Sequence, residues 1–142
     1  MSLANLLKTG QLKEHRAGPQ EIGRLMAAAE RSLADARVAA VSAETRFDAA
    51  YRAIMQIGLA ALMTRGYRPD TNRRGHHMTI IQTLTLTLGI EAARMVVLDT
   101  LRRKRNLADY TGEDIDDASV AACITEAERL LRDIKPRPGK RT

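Results

Sequence analysis

The sequence has few aromatic residues, a single cysteine and no long unbroken hydrophobic run. Phe, Trp and Tyr make up 3% of its 142 residues and Trp is absent, so a core must be built from Ala, Leu, Ile, Val and Met. That palette packs helices closely and suits a β-sandwich poorly. The lone thiol, Cys123, excludes an intrachain disulfide. Its neighbours Val120, Ala121, Ala122 and Ile124 mark it as a buried side chain on an apolar helix face. The most apolar stretch, Ile80 to Ile90, is interrupted by Gln82, Thr83, Thr85 and Thr87, which argues against a membrane span. The first ten residues carry only a short apolar patch, so no signal peptide is expected and a cytoplasmic protein is the default. A phosphate-binding glycine loop, a nucleophile elbow and a convincing carboxylate pair are likewise missing. Glu113, Asp114, Asp116 and Asp117 lack the spacing of a calcium loop and read as helix capping and a solvated turn. No metal or other cofactor is expected.

What is present fits one domain. Hydrophobic residues are 44% and charged residues 28%, neither disordered nor membrane-like. The net charge is +6, but Lys135, Arg137, Lys140 and Arg141 supply +4 of it in the last eight residues. Overall basicity is therefore weak support for nucleic-acid binding, and a local cluster counts for more. The pattern divides into a mobile or loosely docked lead-in at 1–16, a helical domain at 17–134 and a basic tail at 135–142.

Within the domain the expected fold is all-α, an up-and-down bundle of about five helices. Ile22, Leu25, Met26, Ala29, Leu33, Ala36 and Ala40 recur at helical spacing, predicting a helix from Pro19 to Val41. Phe47, Ala50, Tyr51, Ile54, Ile57, Gly58, Ala61 and Leu62 predict a second, capped by Ser42 or Thr45 and stopped at Gly66. Residues 66–75 read as a loop. Met78 to Leu88 alternates Thr and Leu as a strand would, yet a short strand needs a partner and none is evident, so a helix is expected. A fourth helix should run from Glu91 to Ala108 with Ala92, Met95, Val96, Leu98 and Leu101 facing inward. A fifth should run from Asp117 to Ile134.

Two basic clusters are candidate sites. Arg102, Arg103, Lys104 and Arg105, then Asn106, close the fourth helix, with Asp109 and Tyr110 following. At helical spacing Arg105 falls on the face of Leu98 and Leu101, so it should turn inward while Arg103 and Lys104 turn more outward. A structural account competes: cations suit a helix C-terminus, and Arg105 with Asp109 makes an ordinary pair four residues apart. The second cluster is Arg68, Arg73 and Arg74 with His76 and His77. Adjacent histidines diverge, and no acid or cysteine completes a metal set, so the functional alternative is phosphate contact near a helix N-terminus. If this loop meets the end of the fourth helix, the two clusters form one anion site.

The Arg105-Asn106 pair followed by a ring side chain at Tyr110 resembles the motif of the HEPN family, in which an Arg, usually followed by a polar residue, precedes a His by a short spacing. Tyr110 stands where that His is expected. The stretch from Phe47 to Ile54 resembles the second-helix segment of the family. Gly66-Tyr67-Arg68-Pro69 and Gly75-His76-His77 resemble the following loop of some bacterial members. The resemblance spans about residues 19 to 134. It implies a helical bundle that forms a homodimer. In active members it implies a metal-independent ribonuclease, often a toxin paired with a nucleotidyltransferase antitoxin, with two copies of the motif meeting across the dimer. Arg105, Asn106 and Tyr110 would then be the catalytic residues. Arg102, Arg68, Arg73, Arg74, His76 and His77 would contact phosphate or RNA. Tyr110 is a poor base beside His, since a phenol loses its proton near pH 10 and imidazole near pH 6.5. A non-catalytic domain that binds RNA, a nucleotide or a partner protein, and a purely structural adaptor, stand beside the enzyme.

Overall fold

A computed structural model describes residues 1–135, and the basic tail expected at 135–142 lies, apart from Lys135, outside the described residues. Among the described residues the chain is almost entirely helical, with six α-helices and one two-stranded sheet. The order is α1 (Leu3–Lys8), β1 (Leu12–Glu14), α2 (Pro19–Ala36), α3 (Ala43–Thr64), β2 (Tyr67–Pro69), α4 (His76–Thr87), α5 (Ala92–Thr111) and α6 (Asp117–Ile134). No helix among the described residues is long and apolar enough to cross a membrane.

The local signals that start and stop these helices act as the sequence implies. Pro19 opens α2 in its first turn, where the missing N–H costs nothing. Ser42 caps α3 by accepting from the Thr45 N–H, and Asp116 caps α6 by accepting from the Ser119 N–H. Gly112, at φ +71°, takes the left-handed turn that ends α5. The strand-like run at 78–88 is helical. Its threonines are accommodated because Thr79, Thr83, Thr85 and Thr87 each donate a hydroxyl hydrogen bond to a carbonyl three or four residues back.

Three expectations need correction. The lead-in at 1–16 is docked: Leu6 and Leu12 are buried, and β1 pairs antiparallel with β2, Leu12 opposite Pro69 and Glu14 opposite Tyr67. The extra helix, α1, lies in this segment. Helix α2 stops at Ala36 rather than Val41, because the Arg46 side chain reaches back to hydrogen-bond the Ala36 carbonyl at 2.8 Å and the chain turns there. On α5, Leu98 and Leu101 are buried as expected, but Ala92 and Val96 face outward. Val96 lies two residues, or roughly 200° of helical turn, from Leu98 and cannot share its face.

The core gathers around α3, which packs against α2, α4, α5, α6 and β2. Phe47, Ile54, Ile57 and Leu62 are the largest side chains of α3 that are fully enclosed. Gly58 permits the closest approach, since a Cβ there would stand 2.5 Å from Cγ2 of Ile80 on α4. Cys123 is buried on α6, as its apolar neighbours imply.

Candidate functional site

The first half of α3 is not apolar all round. Asp48, Tyr51, Arg52 and Met55 fall three, four and seven residues apart, so they share one face. They line a cleft of about 260 Å³ that is closed by His77 from the start of α4 and Arg105 from α5. The guanidinium of Arg105 lies over the Tyr51 ring, 5.0 Å from its centroid. It also lies 3.8 Å from carboxylate oxygens of both Asp48 and Asp109. These are long, partly exposed contacts that orient the cation without saturating its five N–H donors. His77 Nδ1 is 3.3 Å from the Tyr51 hydroxyl, and its ring meets that of His76 edge-on at 4.7 Å.

The electrostatics of the cleft follow from partial burial beside cations. Burial lowers the His77 pKa below its usual 6.5, and His76, Arg105 and Arg102 lower it further, so the ring is neutral at neutral pH. Burial pushes Tyr51 up to about 12, which keeps its phenol protonated. Burial also raises Asp48, with Arg105 opposing the shift. A neutral imidazole, a protonated phenol and a guanidinium facing one polar cleft can bind an anion and accept a proton beside it.

The cleft continues into a second cavity of about 310 Å³, with which it shares Arg52, Met55 and His77. That cavity extends to His76 and to Arg68 on β2. The start of α4 and the C-terminal half of α5 therefore face one groove, through His77 and Arg105.

Other sequence candidates are placed elsewhere. Asn106 is exposed and Tyr110 is 89% exposed. Five residues of helix turn Tyr110 by roughly 140° from Arg105, so the expected motif ring points away from the cleft and Asp109 takes the place beside the arginine. Arg102 is held by Asp99 at 2.9 Å, Arg103 by the same carboxylate at 3.0 Å, and Lys104 hydrogen-bonds Ser119 at 2.6 Å. Of four consecutive cations, only Arg105 lines the cleft. Arg73 donates to the Thr9 carbonyl at 3.1 Å, and with Arg74 it lines a separate cleft beside Gln11 and Asp70. No three His, Cys, Asp or Glu side chains among the described residues gather as a metal-ligand set.

Asp48 and Arg52 are not among the site residues that the sequence singles out, and Tyr51 enters there only as part of the apolar series of the second helix. Their signal is faint but present: Asp48 and Arg52 lie four apart on one face, at the edge of the apolar stripe, and no charged residue follows them in α3. No family model, curated protein or solved structure matches the chain.

Proposed function

We propose that this chain is a HEPN-like RNA-binding protein that cleaves RNA without a metal ion, using Arg105 and His77 rather than Arg105 and Tyr110. The observation that carries the reading is the placement of the Arg105 guanidinium over Tyr51, in the same cleft as a neutral His77. In this reading the helices form an up-and-down bundle, two copies pair as a homodimer, and a nucleotidyltransferase antitoxin restrains the protein in a bacterial cytoplasm.

The chemistry uses groups of this chain alone. Arg105 and Arg52 hold the phosphate oxygens and stabilise the charge that builds on them. In this reading His77 Nδ1–H donates to the Tyr51 hydroxyl oxygen, which leaves Nε2 as the unprotonated nitrogen that meets the substrate. Nε2 takes the proton of the ribose 2′-hydroxyl as the 2′-oxygen bonds to phosphorus. The bond from phosphorus to the 5′-oxygen breaks, and that oxygen takes a proton from water, whose hydroxide is neutralised by the proton His77 gained, returning the ring to its neutral form. The products are a 2′,3′-cyclic phosphate and a free 5′-hydroxyl.

The test is cleavage of single-stranded RNA by purified protein in the presence of a chelator. Arg105→Ala should lower the rate about 10²–10³-fold, and His77→Ala about 10²–10⁴-fold. Tyr110→Phe should leave it unchanged. RNA that is bound through Arg105 but never cut would reduce the protein to a non-catalytic binder. If wild type neither binds nor cuts, the RNA reading fails and an adaptor for a partner protein replaces it.

A further inference from the structure

The second cavity of the groove differs in chemistry from the cleft beside it. Its floor is apolar, made by Met55, Leu59 and Ile80. Its polar side chains are Arg52, Gln56, Arg68, Thr71, His76 and His77. At about 310 Å³ it lies at the small end of ligand cavities, suited to one compact ring system. A thioether and branched aliphatic side chains offer such a ring a polarizable, dry surface. The cavity shares Arg52 and His77 with the anion cleft, so a group seated in it is tethered directly to a bound phosphate.

The polar rim is biased toward donors. Arg52 and Arg68 can only donate, and neither has an ion-pair partner among the described residues. Gln56 would ordinarily offer both a donor and an acceptor. Here the Ser32 hydroxyl on α2 donates to Gln56 Oε1 at 3.1 Å, which holds that oxygen toward α2 through one of its two lone pairs and turns the amide NH2 away from Ser32. Ser32 itself is buried, so this contact is fixed by the packing of α2 on α3 rather than by solvent.

Resting on the RNA reading above, we propose that this cavity is a nucleobase subsite that prefers uracil and guanine, with Gln56, set by Ser32, as the residue that determines the preference. Uracil and guanine present a carbonyl oxygen where cytosine and adenine present an amino group. A rim with more donors than acceptors pairs readily with the carbonyl and offers the amino group fewer partners, those being Thr71 and the imidazoles of His76 and His77. The ligand class is thus a nucleotide phosphate bearing a carbonyl-edged base, whether free or within a strand.

Calorimetric binding of the four 5′-mononucleotides, ribose 5-phosphate and short oligomers of U, A and C tests this on the full chain. UMP and GMP should bind about tenfold tighter than CMP and AMP, and all four tighter than ribose 5-phosphate. Oligo-U exceeding UMP would identify a strand as the natural source, and equal affinity a free nucleotide. Gln56→Leu should equalise the four bases. Ser32→Ala, which frees the amide to rotate, should do so by strengthening CMP and AMP, an effect that simple loss of packing would not give. Leu59→Trp should fill the floor and bring every nucleotide to the level of ribose 5-phosphate. Equal affinity of the four bases in the wild type overturns the preference. Nucleotides no tighter than ribose 5-phosphate, with Arg105 still required, overturn the subsite and leave the phosphate site standing. Absence of binding by any probe, inorganic phosphate and RNA included, overturns both.

Discussion

Helices α3 and α5 are nearly equal in length, 22 and 20 residues, yet α3 buries twelve of its residues and α5 only two. Apolar contacts hold α3 on most of its circumference. Helix α5 is held along a single line, Leu98 and Leu101, and by ions. Arg94 lies 3.3 Å from Glu126 and 2.8 Å from Asp133 on α6, with its remaining nitrogen buried and unpartnered. The contrast explains where the candidate site sits. A fully apolar junction would leave no cleft, and a fully exposed one would leave the cation in bulk water. Arg105 lies between these limits, half-buried beside the one polar edge of α3.

The sharpest break of the comparison comes from exchanging the roles of the two helices. Phe47→Ala empties the centre of α3 and should cost about 3–5 kcal/mol, measured by denaturant unfolding. Arg94→Met removes one of the two cations that hold Glu126, whose side chain is only 7% exposed, leaving Arg129 at 3.2 Å, and should cost about 1–3 kcal/mol. Adding Glu126→Gln to that variant should restore part of the loss. No recovery would mean that α5 is held by its apolar line alone. Gly58→Ala brings a Cβ against Ile80, and this overpacking should cost about 1–3 kcal/mol, with α4 rather than α5 showing the faster amide exchange.

The pH response is smaller and has a definite sign. His77 resists protonation in the folded chain, whereas the unfolded ring protonates near its ordinary 6.5. Between those two values the unfolded state binds more protons, so stability is complete above pH 6.5 and declines as pH falls through and below it. His77→Gln should remove that part of the decline, and an NMR titration should place the His77 midpoint below 6.5. The smallest effect belongs to the outer face of α5. Val96 is 67% exposed, so Val96→Ala should change stability by no more than about 0.5 kcal/mol. A larger loss would show that a partner covers this face.

Much of the helical framework was legible because its signals are local. A cap such as Ser42 or Asp116 acts within three residues, and the apolar period that marks α3 repeats every turn. The inward aim of Arg105 was legible for the same reason, from its spacing to Leu98 and Leu101. The motif alignment misled at Tyr110, because matching residue types says nothing of the angle between positions 105 and 110 on a helix.

By itself, then, the sequence determined five of the six helices, most of their ends, the buried thiol and the turn of Arg105 toward the bundle, since each depends on hydrogen bonds and burial patterns within a turn or two of chain. The tertiary structure alone decided that residues 12–14 pair with 67–69, that His77 meets Arg105 across Tyr51, and that Ser32 turns the amide of Gln56. Those contacts join residues 24 or more positions apart, and which of them form is fixed only when the whole apolar surface of α3 has been covered.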